Sequence, residues 1–212
     1  MLTLKHSSRD YSASMDNGDW QEGNSFSLLQ HPITELSGKS LGIIGYGVLG
    51  QGVARAATTL GLRVLISESF AENNKPGEGI ARVPFDTLLA ESDIISLHCP
   101  LTDNTEGLFD ETAFKKMKSS AILINTARGG LINDHALIKA IEDKVIAGAA
   151  IDVLNQEPPD SSHPLIQKQY SNLIITPHIA WAAQEARQRA LDRIAENIKA
   201  FQNNRPINIV ND

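Results

Sequence analysis

The stretch from Leu41 to Gly50 constrains the fold of this chain more than any other. An apolar run over 41–44 ends in three glycines, Gly45, Gly47 and Gly50, which are spaced as G-x-G-x-x-G and are followed by helix-forming residues. The first glycine permits a tight turn, the second lets the backbone approach a pyrophosphate, and the third lets the helix pack on the strand. The stretch therefore predicts a strand, a turn and a helix whose N-terminus binds the phosphates of a dinucleotide.

A second apolar strand over 62–67 follows this helix and ends at Glu68. Glu68 lies 18 residues after Gly50, close to the offset of about 20 at which an acid binds the adenosine ribose. A carboxylate accepts hydrogen bonds from the ribose hydroxyls and repels a 2′-phosphate, which favours NAD over NADP. Arg63 and Lys75 leave NADP open, and Glu68 could also be a solvated carboxylate at a strand end.

The composition is typical of an ordinary globular protein, with 42% hydrophobic and 21% charged residues. A net charge of −6 gives no indication of a nucleic-acid or anionic-membrane partner. We find neither an apolar run long enough to span a membrane nor a secretory signal. Cys99, the single cysteine, excludes an intramolecular disulfide and a cysteine-rich zinc cluster. We therefore expect a cytoplasmic protein without a metal site.

From residue 39 onward, predicted strands and helices alternate along the chain. Most predicted strands are continuous apolar runs, which is typical of a parallel sheet covered on both faces. This pattern predicts an α/β fold of the Rossmann type, with a doubly wound parallel sheet. The predicted strands are 40–44, 62–67, 93–97, 121–125, 146–151 and 173–176, and the predicted helices lie near 48–60, 84–90, 110–117, 133–142 and 182–203.

The two ends of the chain give weaker patterns. Residues 10–30 are polar and rich in turn-forming residues, so we expect an irregular arm there. Residues 206–210 are predicted to form a short terminal strand. The histidines outside the candidate site, at positions 6, 31, 135 and 163, are interpreted as structural or solvated.

Three stretches that follow predicted strands carry residues of catalytic type. Arg128 follows the fourth strand, Asp152 and Glu157 follow the fifth, and His178 follows the sixth. Strand ends of a parallel sheet face the ligand crevice. An arginine can bind a carboxylate through two hydrogen bonds, a histidine can supply a proton, and a carboxylate can raise that histidine's pKa. Together these groups are what the reduction of a 2-keto acid requires.

Each of these residues also has a structural alternative. Arg128 could form a surface salt bridge, and His178 could be a structural histidine. Glu157 could be a turn residue before proline, and Asp152 could brace the sheet. His98 and Cys99 could serve only in packing and backbone contacts.

The glycine motif, the NTARGGLI stretch at 125–132, residues 152–158 and the Pro177-His178 pair give the chain a specific resemblance. It resembles the D-isomer-specific 2-hydroxyacid dehydrogenases, most closely the glycerate dehydrogenase (hydroxypyruvate reductase) branch. The resemblance implies hydride transfer between NAD and a small 2-keto or 2-hydroxy acid. Arg128 would bind the substrate carboxylate, His178 would be the acid and base, and Glu157 would be paired with His178.

The resemblance also implies a set of cofactor contacts and a domain organisation. Residues 1–30 would form the end of an interdomain helix and the arm, 31–180 the NAD-binding domain, and 181–212 the C-terminal helix and tail. Family members dimerise and carry a larger N-terminal lobe, so we expect a homodimer, NAD binding and little turnover from these residues alone. The alternative is a non-catalytic, corepressor-like NAD-binding module. The cofactor contacts implied are Gly45, Gly47, Val48, Leu49, Glu68, His98, Cys99, Pro100, Thr105, Thr126, Ala127, Arg128, Asp152 and His178.

Overall fold

The computed structural model describes residues 1–70 and 81–210, so Lys75 lies outside the described residues. A parallel six-stranded sheet is its centre, with strand order β2-β1-β3-β4-β5-β6. The order reverses between β1 and β3, as in doubly wound sheets. The six strands are β1 (Ser40–Ile44), β2 (Arg63–Ile66), β3 (Ile94–Leu97), β4 (Ile122–Asn125), β5 (Gly148–Ile151) and β6 (Leu173–Ile175).

Nine α-helices lie within the described residues, and they include every helix predicted from the sequence. They are α1 (Leu2–Lys5), α2 (Ser8–Asp16), α3 (Asp19–Glu22), α4 (Val48–Thr59), α5 (Phe85–Glu91), α6 (Glu111–Lys116), α7 (Asp134–Glu142), α8 (Pro164–Gln167) and α9 (Gln184–Gln202). Two apolar clusters form the core of the sheet and helices. The larger one includes Ile44, Leu97, Phe109 and Leu123, and the smaller one includes Ile43 and Ile94. The doubly wound α/β prediction is confirmed.

The chain divides into two compact units, Met1–Thr176 and Pro177–Asp212. The first contains the whole sheet. The second contains α9, none of whose residues is buried. Four apolar side chains of α9, those of Leu191, Ile194, Ile198 and Phe201, are each more than half exposed. No helix among the described residues is both long and apolar enough to cross a membrane.

Two expectations about the chain ends are wrong. The arm is not irregular throughout, because α2 and α3 lie within residues 8–22. Tertiary bonds anchor α1 and α2: on α1, Lys5 Nζ donates to the Ser120 carbonyl at 2.8 Å, and on α2, an Arg9 guanidinium nitrogen donates to the Leu173 carbonyl at 2.9 Å. These contacts hold α1 and α2 against the amino edge of the sheet. Residues 206–210 form no strand, since a strand needs a hydrogen-bonded neighbour and none pairs with them among the described residues.

Asp93 links β1 and β3 at the amino edge of the sheet. Its Oδ2 accepts from the Ser40 N–H and hydroxyl, both at 2.9 Å, and its Oδ1 accepts from Lys118 Nζ at 3.0 Å. Burial raises the pKa of this carboxyl, but the bonds from Ser40 and Lys118 outweigh burial and lower the pKa from 3.8 to about 2. A lowered pKa stabilises the fold above the unfolded value, and the stabilisation is lost as the pH falls toward 2.

We therefore expect Asp93→Asn to lower the free energy of unfolding by roughly 1–3 kcal/mol at pH 7. The difference from wild type should shrink at pH 3, where the unfolded carboxyl is already protonated. Urea denaturation at both pH values measures this. Asp86→Asn, which removes an exposed ion pair with Lys116, is the control and should cost under about 1 kcal/mol. An equal loss at both pH values for Asp93→Asn would contradict the expectation.

Candidate functional site

The carboxyl ends of the strands bring most of the predicted site residues of the first unit to one edge of the sheet. Parallel pairing places Ile44 beside Leu97 and Leu97 beside Asn125, and Asn125 beside Ile151. The segments that follow these strands therefore leave the same edge. They carry the glycine turn, His98 to Pro100, Thr126 to Arg128, and Asp152.

The three glycines of the turn differ in what surrounds them. Gly45 has φ +91°, and a Cβ there would lie 2.3 Å from the Cys99 nitrogen. A Cβ on Gly50 would lie 2.1 Å from the Gly45 oxygen, so both glycines permit close backbone contact. A Cβ on Gly47 would meet nothing within 4 Å. Gly47 therefore opens a space at the start of α4.

This open space has the properties that a pyrophosphate needs. Gly47 is the N-cap of α4 without a side chain over the helix start, and the next two side chains, Val48 and Leu49, are 87% and 73% exposed. The first N–H groups of a helix lack intrahelical acceptors and carry the positive end of the helix dipole. The glycine turn thus fits the phosphates of a dinucleotide without rearrangement of a side chain.

Glu68 leaves the end of β2 and is exposed. Its Oε1 accepts a hydrogen bond from the Phe85 N–H at 2.9 Å, at the start of α5. This bond fixes the direction of the carboxylate at the strand end. The carboxylate is a hydrogen-bond acceptor that would repel a 2′-phosphate, as the sequence predicts.

The loop after β3 is held by its own hydrogen bonds. Ser96 Oγ lies 2.9 Å from His98 Nε2, and burial lowers the pKa of His98. Burial also raises the pKa of the Cys99 thiol to about 11, so this thiol is not a nucleophile at neutral pH. Thr105, only 2% exposed, accepts from the Thr102 N–H and donates to the Pro100 carbonyl. Its hydroxyl closes the loop, and its contact with a cofactor stays a prediction.

Asn125 shapes the turn that carries Arg128, a role for which the sequence pattern gave no signal. Its side chain is fully buried, its Nδ2 donates to the Arg128 carbonyl at 2.8 Å, and its Oδ1 accepts from the Ala127 N–H at 2.9 Å. The Arg128 side chain is exposed, and its guanidinium donates to the Ala127 carbonyl at 2.6 Å. Arg128 therefore presents charged N–H donors at the edge of the sheet. Thr126 lies exposed beside it.

The two acids after β5 have different surroundings. Asp152 is 5% exposed and accepts a hydrogen bond from the Thr176 hydroxyl. Glu157 is exposed, and its Oε1 accepts from the Leu154 N–H at 2.7 Å. The first carboxylate is part of the packed sheet edge, whereas the second lies on a surface turn. The Glu157 side chain is the more exposed of the two.

His178 belongs to the second unit. It is exposed and has a left-handed backbone with φ +52°. Its carbonyl accepts a hydrogen bond from the indole of Trp181 at 2.9 Å. This bond closes a turn from His178 to Trp181. The pairing of His178 with Glu157 stays a prediction.

Comparisons with known proteins point to one family. The model of a family described as "D-isomer specific 2-hydroxyacid dehydrogenase, NAD binding domain" matches residues 1–180. The chain is 43% identical over 210 residues to glycerate dehydrogenase of Methylorubrum extorquens and 36% identical over 211 residues to hydroxypyruvate reductase of Blautia hydrogenotrophica. These matches cover 99% and 100% of this chain but 65% of each relative.

A solved structure also matches the whole length of this chain. The chain superposes on D-lactate dehydrogenase with NAD⁺ from Lactobacillus jensenii with a TM-score of 0.82 and 31% identity. All of this chain and 65% of that one are covered. The chain therefore spans about two thirds of the length of each of these three proteins.

Proposed function

This chain belongs to the D-isomer specific 2-hydroxyacid dehydrogenase family, and we propose that it interconverts a D-2-hydroxy acid and its 2-keto acid with NAD. Relatives named glycerate dehydrogenase, hydroxypyruvate reductase and glyoxylate reductase favour two substrate pairs, D-glycerate with hydroxypyruvate or glycolate with glyoxylate. One observation carries the proposal. The open helix start at Gly47 and the exposed guanidinium of Arg128 leave the same edge of the sheet.

The residues that would hold NAD are those of the glycine turn together with Glu68 and the buried strand ends. Amides at the start of α4 would bind the pyrophosphate, and the Glu68 carboxylate would accept from the ribose hydroxyls. Asp152 and the backbone of Thr126 and Ala127 would contact the nicotinamide end. When bound, NAD supplies or accepts the hydride at substrate C2.

Three side chains of this chain would handle the substrate. Arg128 would hold the carboxylate through paired hydrogen bonds and polarise the neighbouring carbonyl. His178 would donate a proton to the carbonyl oxygen during reduction and remove it from the hydroxyl during oxidation. Glu157 would stabilise the protonated imidazole, which raises the pKa of His178.

A cytoplasmic homodimer is part of the same proposal. Phe26 and Leu29 of the arm are 95% and 81% exposed, an apolar surface that a second copy would cover. The one cysteine is a buried free thiol, which is compatible with a reducing compartment.

A single-turnover experiment tests the proposed reaction even where turnover is slow. The chain, in excess over NADH, is mixed with hydroxypyruvate or glyoxylate, and the absorbance of NADH is followed. We expect slow oxidation of NADH, at a rate that falls on the order of 10²–10⁴-fold in His178→Gln. In Arg128→Gln, we expect the rate to depend more weakly on the substrate concentration. His135→Gln, an exposed histidine on α7, is the control. Equal rates in wild type and His178→Gln would contradict the proposal.

A further inference from the structure

We propose that His163 is a positioning residue: through Asp134 and Asn155 it holds the turn of Glu157 against the turn of Arg128. The inference rests on the proposed function, because it concerns the placement of Arg128, assigned there to the substrate carboxylate, and of Glu157, assigned there to the protonated imidazole. All the residues involved lie in the first unit.

Asp134 is the centre of the contact. Its Oδ2 lies 3.4 Å from His163 Nε2 and 3.2 Å from Asn155 Nδ2. The side chains of His163 and Asp134 are only 9% and 16% exposed, so water screens this pair less than a surface pair. Asp134 is also the first residue of α7, where the helix dipole favours a carboxylate. One fixed carboxylate therefore joins the start of α8 to the Glu157 segment.

The surroundings of the second ring nitrogen of His163, Nδ1, indicate that packing alone does not account for a histidine at this position. Nδ1 of His163 is buried and has no hydrogen-bond partner among the described residues. An apolar side chain of similar size would avoid the free-energy cost of a buried, unpaired polar atom. The histidine is therefore explained by its Nε2 contact with Asp134.

The contact reaches the segments of Arg128 and Glu157. A Cβ on Gly129 would lie 2.1 Å from the Leu154 carbonyl carbon, so the turn that begins at Arg128 touches the backbone before Glu157. Leu154 in turn donates to Glu157 Oε1 at 2.7 Å. Asn155, the next residue, is the one that Asp134 holds. Loss of the His163 contact would loosen Asn155 and then the bond between Leu154 and Glu157.

Amide hydrogen exchange and NMR of the whole chain test this assignment. His163→Leu removes the ring, and His163→Gln restores a side-chain N–H that can reach Asp134. We expect Leu154 amide exchange to rise on the order of tenfold in His163→Leu and to return near wild type in His163→Gln. Exchange in the strands should stay unchanged. His135→Leu is the matched control on α7.

Three outcomes would overturn the proposal: unchanged Leu154 exchange in His163→Leu, no recovery in His163→Gln, or an equal rise at every strand amide. The last would indicate only a general loss of stability.

NADH affinity and the single-turnover rate are measured on the same variants. His163→Leu should slow the reaction while NADH affinity is retained. Failure of wild type to bind NADH would contradict the proposed function. The amide exchange data test the positioning role of His163 independently of NADH binding.

Discussion

Gly45→Ala should destabilise the protein by roughly 3–5 kcal/mol, a large share of the stability of a typical domain. The added Cβ would lie 2.3 Å from the Cys99 nitrogen and 2.5 Å from the His98 carbonyl carbon. Both atoms belong to the backbone, so no side chain can move aside. The left-handed φ of +91° adds roughly 1–2 kcal/mol for alanine. Urea denaturation monitored by circular dichroism measures the loss.

Gly38→Ala separates the two causes of that loss. Gly38 also has a left-handed φ, of +76°, but a Cβ there meets nothing within 4 Å. We expect it to cost only the backbone term of roughly 1–2 kcal/mol. If both variants lost the same stability, the close approach of the glycine turn to the segment after β3 would be refuted.

Gly47→Val should weaken NADH binding at least tenfold while the fold is retained. The position has an ordinary φ of −78° and open space around a Cβ. The only expected stability cost is that of a poor N-cap, about 1 kcal/mol. The branched side chain would occupy the space that the pyrophosphate needs above the first amides of α4. Nicotinamide fluorescence during NADH titration measures the affinity.

Gly52→Ala is the matched control on the same helix. A Cβ at Gly52 has its nearest neighbour 3.9 Å away, at the guanidinium of Arg55, and alanine favours the helix. NADH affinity should therefore equal that of wild type. Unchanged affinity in Gly47→Val would show that the dinucleotide does not bind at the glycine turn.

The sheet could be predicted from sequence because each strand is a local apolar run. The predicted strands match the observed ones to within two residues at each end, and parallel pairing follows from the alternation with helices. The arm helices could not be predicted in this way. The first of them, α2, is held by a bond from Arg9 to Leu173, and α1 before it is held by a bond from Lys5 to Ser120. Both partners are distant in sequence. The predicted strand at 206–210 failed for a related reason, since apolar character does not supply a neighbouring strand.

The candidate site shows the same difference between local features, which the sequence predicts, and contacts distant in sequence, which it does not. The sequence indicated Arg128 and Glu157 because residue types with distinctive chemistry follow predicted strands. It gave no role to Asn125, whose two side-chain bonds go to backbone atoms of the next turn. It interpreted His163 as structural or solvated because Asp134, its neighbour in space, belongs to another helix. Groups that shape a site through nonlocal contacts leave no periodic pattern in the sequence.

Titration of the unmodified chain with NADH tests the central claim most directly, namely that the carboxyl edge of the sheet binds NAD. We predict a saturable rise in nicotinamide fluorescence at micromolar NADH that NAD⁺ reverses. NADPH should bind more weakly because Glu68 opposes a 2′-phosphate. A chain that is folded by circular dichroism but shows no saturable binding up to millimolar NADH would contradict the account.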